Sequence, residues 1–236
     1  MKSFHVLSAL LTYPSEELQA AVPEMRAVLA AEPVLPAARA PALEPLLADL
    51  ESGELFDLQE RYVLLFDRTR SLSLNLFEHV HGESRDRGGA MVDLLETYRA
   101  AGVDLVGPEL PDHLPVLLEF LSTQPIETAR EILGDAGPIL VALAERLERR
   151  ESVYAPVLKE LVAFAEAASD TEAAQALVAG EDDDPEDLAA LDAVWEEAQV
   201  TFGPDPNSGC PISRDLLAQM DAAPRSPAPS RSSGSQ

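Results

Sequence analysis

Apolar residues recur along this chain at three- and four-residue intervals, the spacing that gathers them on one face of an α-helix. Leu43, Leu46, Leu47 and Leu50 follow it, as do Met91, Leu94, Leu95 and Tyr98, and again Leu114, Leu117, Leu118 and Leu121. Leu58, Tyr62, Leu65 and Phe66 share a face in the same way, and Phe4, Leu7, Leu10 and Leu11 form an inward stripe near the start. From Pro138 a long stretch carries Leu140, Leu143, Leu147, Tyr154, Val157, Leu161 and Ala165, with a bend expected near Pro156. End signals support these spans. Ser15 before Glu16 and Glu17 reads as an N-cap, Asp112 reads as another, and Gly102 reads as a helix stop. Pro23, Pro33, Pro36, Pro41 and Pro45 are expected to break the early region into short helices. One segment has the other period: Leu72, Leu74 and Leu76 alternate with Ser73 and Asn75. A single short strand has nothing to pair with, so this segment too is read as helix. The pattern predicts an all-α, single-domain helical bundle.

Past Ser169 the character changes. "EDDDPED" (181–187) reads as an acidic spacer and "LAALDAVWEEAQV" (188–200) as an amphipathic helix carrying Leu188, Leu191 and Trp195. From Gly203 onward Pro, Ser, Gly and Ala dominate, and such a tail cannot bury enough apolar surface to order itself. The expected organisation is a helical domain at 1–170, a spacer with a C-terminal helix at 171–202, and a disordered tail at 203–236. The single cysteine, Cys210, falls in that tail and is assigned no chemistry. One cysteine excludes an internal disulfide framework and fits a reducing compartment.

Charge narrows the choice of partner. The 236 residues hold 17 basic and 42 acidic side chains, a net charge of −25, and only Lys2 and Lys159 are lysines. Nucleic acid and anionic membrane surfaces repel such a chain, whereas a basic partner is favoured. Solubility, or a host rich in salt, accounts for the acidity equally well. No apolar run approaches the ~20 residues a membrane span needs. "MKSFHVLSALLTYPSEEL" imitates a weak signal peptide, but His5 interrupts it and its basic region is one lysine, so it is read as a first helix in a cytoplasmic protein.

Candidate chemistry concentrates in "LFEHVHGESRDRGGAMVDLL" (76–95), where His79 and His81 stand among Glu78, Glu83, Arg85, Asp86 and Arg87. The pair imitates the start of an HxHxDH metallo-hydrolase motif and departs at once, with Gly82-Glu83-Ser84 where the motif needs x-Asp-His. Only His5 and His113 remain as further histidines, and on a helix residues two apart point about 200° from one another. No functional metal or cofactor is expected. A nucleophile elbow, a P-loop and a dinucleotide fingerprint are all absent from the sequence, which argues against an enzyme. Residues 61–87 hold five arginines against four acids, so they are close to neutral in an acidic chain. Two readings stay open on residues alone: an ion-pair network joining helix ends, or a groove that takes a peptide. A second cluster, "PELPDHLPVLLEFL" (108–121), places Glu109, Asp112 and His113 at a helix start, where the macrodipole disfavours a histidine cation.

"YVLLFDRTRSLSLNLFEHVHGESRDRGGAMVDLLETYRAAG" followed by "ELPDHLPVLLEFLS" closely resembles the nitrate reductase molybdenum cofactor assembly chaperones, the NarJ or delta-subunit family, itself related to TorD/DmsD-like maturation chaperones. "LLTYPSEEL" and "LDAVWEEAQVTF" extend the resemblance over roughly residues 3 to 202. It implies a cytoplasmic, non-enzymatic, all-helical chaperone. Its partner would be the catalytic alpha subunit of respiratory nitrate reductase, including that subunit's N-terminal peptide, held while the molybdenum cofactor is inserted and before membrane attachment. Pro111-Asp112-His113 matches the family signature near the client groove. The expected groove has apolar anchors in Tyr62, Phe66 and Leu117, acids in Asp67, Glu78, Glu83, Glu109 and Asp112, arginines in Arg68, Arg85 and Arg87, and histidines in His79, His81 and His113. Binding of a basic peptide there should weaken as pH falls through ~6.5. Two other readings are a scaffold that touches only the folded client and a nucleotide-binding maturation factor.

Overall fold

In the computed structural model, residues 1–32, 40–81 and 85–180 are described, without the side chains of Ala40 and Arg85. They contain eleven α-helices: α1 (Lys2–Leu10), α2 (Glu16–Ala31), α3 (Glu44–Ser52), α4 (Leu55–Tyr62), α5 (Glu78–His81), α6 (Arg85–Ala100), α7 (Leu114–Ser122), α8 (Ile126–Asp135), α9 (Gly137–Arg149), α10 (Ala155–Phe164) and α11 (Glu172–Ala179). The fold is all-α, as the periodicity predicts. Chain contacts divide the molecule into Met1–Leu188 and Ala189–Gln236, and every described residue lies in the first unit. The expected acidic spacer, the helix at 188–200, the tail and Cys210 lie outside the described residues, as do Pro33, Pro36 and Glu83.

The helical stripes read from the sequence point inward. Leu46, Leu47 and Leu50 on α3, Leu117, Leu118 and Leu121 on α7, and Leu140, Leu143 and Leu147 on α9 are all buried. Helix α9 packs against α10 and α11, and α1 packs between α7 and α2. Ser15 caps α2, its hydroxyl accepting from the Leu18 amide at 3.2 Å. Helix α6 stops at Gly102 (φ +79°), where Val103 N–H donates to Tyr98 C=O at 3.0 Å and Gly102 N–H to Arg99 C=O at 2.9 Å. These paired bonds use the left-handed conformation glycine adopts most cheaply.

Four local expectations need correction. Pro23 does not break α2 but sits inside it on the exposed side, while Leu18, Val22, Met25 and Leu29 stay buried and their packing holds the helix through the one lost hydrogen bond. The long stretch from Pro138 is not bent at Pro156. It breaks at 150–154 with Glu151 at φ +51°, and Pro156 opens α10, where its missing N–H costs nothing. The composition change after Ser169 conceals α11, capped by Thr171 and packed through Ala174. The Leu72–Leu76 segment is not an α-helix. After a 3-10 turn at Arg70–Leu72 it runs extended, and Asn75 forms an isolated antiparallel bridge with His113. The partner a lone strand lacks is supplied by the turn before α7.

The aromatics are few but grouped. Three of the four tyrosines and Phe66 form one cluster, with ring centres 5.6 Å apart for Tyr13 and Tyr62, 5.0 Å for Tyr62 and Phe66, and 5.1 Å for Phe66 and Tyr154. Helix α4 runs into this cluster through a wide π-helical turn, Val63–Asp67, closed by Arg68 N–H donating to Val63 C=O at 3.0 Å. Such wide turns re-aim side chains and recur at functional sites.

Candidate functional site

The bridge between 74–76 and 112–114 forms the base of the candidate site. Leu114 N–H donates to Leu74 C=O at 2.8 Å and Leu76 N–H to Asp112 C=O at 3.0 Å. Asp112 is 0% exposed, and its Oδ2 accepts from the Phe77 amide at 3.0 Å. It therefore does not cap α7 as the sequence implies. His113 holds the cap position without a side-chain cap bond, and Pro115 in the first turn reduces the number of amides to satisfy. The bridge turns the Asp112 carboxylate toward the chain entering α5. Arg87 of α6 pairs with Glu78 at 2.9 Å and stands 4.0 Å from Asp112 Oδ2.

Two open clefts flank this base. The first, about 400 Å³, is lined by Tyr13, Tyr62, Asp67, Glu109, His113 and Glu119, with Leu105, Val106, Pro115 and Val116 as apolar wall. It contains three carboxylates and neither lysine nor arginine. The second, about 390 Å³, is lined by Phe66, Asp67, Thr69, Arg70, Ser73, Asn75, Glu78 and Arg87. Its two arginines match its two carboxylates. Asp67, delivered by the π-helical turn, borders both.

Burial sets the protonation here. It pushes the His113 imidazole below the usual histidine range against the pull of Glu109, Asp112 and Asp67, and Glu109 Oε2 lies 3.6 Å from His113 Nδ1. Burial likewise lowers His79, whose Nε2 meets the Ser73 carbonyl at 2.8 Å. The neutral His113 expected from the helix dipole has desolvation as its main cause, and the pH window for both rings lies below 6.5. Burial also raises the Asp67 carboxyl; His113 opposes that shift and Glu109 adds to it.

The structure thus brings Tyr62, Asp67, Glu109 and His113 to the first cleft and Phe66, Asp67, Glu78 and Arg87 to the second. Asp112 lies beneath the base. Leu117, 3% exposed, lies in the core and lines neither cleft. Arg68 is exposed outside both. His79 turns to Ser73, and His81 packs edge-on to Phe77 with ring centres 5.9 Å apart, so the two imidazoles face different neighbours. Among the described residues no group of three or more His, Cys, Asp or Glu is placed to hold a metal. Glu83 and the Arg85 side chain fall outside the described residues. Sequence reasoning passes over Tyr13, Asn75 and Glu119 as lining residues, and counts Arg70 only among the five arginines of 61–87. Only Glu119 leaves a signal, standing with Val116 on the face of α7 opposite its leucine stripe.

The profile of the nitrate reductase delta subunit family matches residues 15–160, from α2 into α10, a span that holds the whole lining of the second cleft and most of the first, Tyr13 lying just before it. The chain belongs to that family. It is 48% identical over 206 residues to the nitrate reductase molybdenum cofactor assembly chaperone NarJ of Escherichia coli, covering 86% of each chain. It is 39% identical over 213 residues to a probable chaperone of the same description, NarW of Escherichia coli, covering 90% of this chain and 89% of the relative. A probable NarJ of Bacillus subtilis is 34% identical over 167 residues, 70% of this chain and 88% of that one. Members with these names are assembly chaperones and not catalysts. No helix among the described residues is long and apolar enough to cross a membrane.

Proposed function

We propose that this protein is a cytoplasmic, system-specific chaperone for a respiratory nitrate reductase. It binds the catalytic alpha subunit, including its N-terminal peptide, and keeps it competent for insertion of the molybdenum cofactor before membrane attachment. The cofactor belongs to the client, and this chain's part is to hold the polypeptide. The observation that carries the reading is the first cleft, where Asp67, Glu109 and Glu119 stand beside an apolar wall with neither lysine nor arginine among the lining residues, and His113 is held neutral by burial. A basic, amphipathic helix or turn matches both halves, its apolar side against Leu105, Val106 and Val116 and its cations toward the carboxylates. The apolar contacts supply most of the affinity and the exposed charges mainly the association rate.

Calorimetry with a synthetic peptide carrying the alpha-subunit N-terminus tests the proposal. Binding should weaken as salt rises, and a Glu109→Gln, Glu119→Gln double variant should bind several-fold less tightly with a shallower salt dependence. Failure to bind the peptide, with capture of the folded alpha subunit intact, sinks the groove and leaves a scaffold.

A further inference from the structure

Helix α6 touches the base of the clefts through two side chains, and one of them has no place in the reading so far. Tyr98 is the one residue of α6 that is buried among those whose side chains are described. Its hydroxyl donates to the Pro111 carbonyl at 2.7 Å, and its ring lies 4.5 Å from that of Phe120 on α7. We infer that Tyr98 is a positioning residue for the client groove, fixing the Pro111–His113 turn through the Pro111 carbonyl. The inference rests on the groove reading above.

Asp112 is sparsely held for a buried carboxylate by the described residues. A buried carboxylate needs several donors, yet Oδ2 has the Phe77 amide and a guanidinium 4.0 Å away, and Oδ1 meets no donor among the described residues. The place of Asp112 is set by bonds to the main chain of its turn as well as by its own side chain. The backbone of the turn carries Leu76 N–H on the Asp112 carbonyl, His113 N–H on the Leu110 carbonyl and Leu114 N–H on the Leu74 carbonyl, and Tyr98 Oη adds a side-chain bond on the Pro111 carbonyl. The next residue, His113, lines the first cleft, and Phe77, the residue Asp112 tethers, opens α5, whose Glu78 lines the second. Loss of the hydroxyl therefore loosens one wall of each cleft. Because the Schellman stop at Gly102 follows Tyr98 directly, the anchor also fixes where the loop to Pro111 leaves α6. Leu94 and Leu95, half-buried on α6, also pack on the core.

The test uses the full chain with Tyr98→Phe, which keeps the ring against Phe120, and Phe120→Leu as a packing control. Tyr98→Phe should weaken the alpha-subunit peptide about three- to tenfold, the range of one hydrogen bond. Native-state hydrogen exchange should show the Leu76 and Phe77 amides losing protection while the Leu143 amide in α9 keeps its own. Combined with Asp112→Asn, the loss in affinity should fall short of the product of the two single losses, since both act on one turn. Phe120→Leu should lower protection everywhere in step with global stability. Protection at Leu76 and Phe77 that falls only in proportion to Leu143, or strictly multiplicative losses in affinity, overturns the inference. If the wild-type chain binds no peptide, the groove reading fails, and the exchange pattern alone decides whether Tyr98 positions the turn.

Discussion

Arg146→Ala offers the sharpest test of how the site is braced. Arg146 is 4% exposed inside α9, an extreme burial for a guanidinium. It donates to the Ser71 carbonyl at 2.8 Å and to the Leu177 carbonyl at 2.6 Å. It thereby ties the 3-10 turn at the edge of the second cleft, and the last turn of α11, to one core helix. Truncation strips both carbonyls of their donor. Each such bond from a charged group is worth about 1.5–3 kcal/mol, so the gross loss is about 3–6 kcal/mol. Removing a buried cation also removes its desolvation cost, which offsets part of that loss. The expected net destabilisation is about 3 kcal/mol, a large share of the ~5–15 kcal/mol that holds a typical domain. Urea unfolding followed by circular dichroism, with fluorescence as a second probe of two-state behaviour, measures it. A change below ~1 kcal/mol would refute the bracing role, because the buried Ser71 bond and the half-buried Leu177 bond, both from a charged donor, cannot be lost that cheaply.

Acid should weaken both folding and client binding through His79 and His113. Their pKa values are depressed, so the unfolded chain takes up protons first; this contribution is intact above pH 6.5 and is lost as pH falls below it, which a series of urea midpoints from pH 7.5 to 5 measures. Peptide affinity should also drop below pH 6.5 as His113 turns cationic, and His113→Gln should flatten the profile. Gly53→Ala should cost about 1–3 kcal/mol by thermal unfolding, because a Cβ there would stand 2.6 Å from the Asp49 carbonyl oxygen, which is backbone and cannot swing aside. Deleting 204–236 should leave the unfolding midpoint unchanged, since that segment has no apolar periodicity to contribute to a core.

The helical faces are legible in the sequence because a leucine-rich core leaves a period that survives averaging. Leu114, Leu117, Leu118 and Leu121 are read as one face and all are buried. Punctuation is less dependable, since a proline or an aspartate specifies only what it forbids or can offer. Pro23 forbids one hydrogen bond, and the packing of the buried face holds α2 through that loss. Asp112 offers a cap, and a distant amide takes it. Leu72, Leu74 and Leu76 show the limit of inferring from the absence of a partner, because the partner lies nearly forty residues on in a turn with no strand pattern.

Several residues of the site are legible in the sequence, but their meeting is not. Tyr62, Asp67, Glu109 and His113 cluster in sequence into two motifs, and a reader of residues can join the motifs without knowing which side chains meet. What joins them is a two-residue bridge and the wide turn at Val63–Asp67, neither of which has a compositional signature. Arg146 and Tyr98 lie deeper still. Each sits in a helical stretch with an ordinary pattern, and each acts through a backbone carbonyl that every residue carries. A side chain that recognises a main-chain group leaves no mark on its partner's identity. The supports of the two clefts are therefore hidden in the sequence, while the charges that line them are plain.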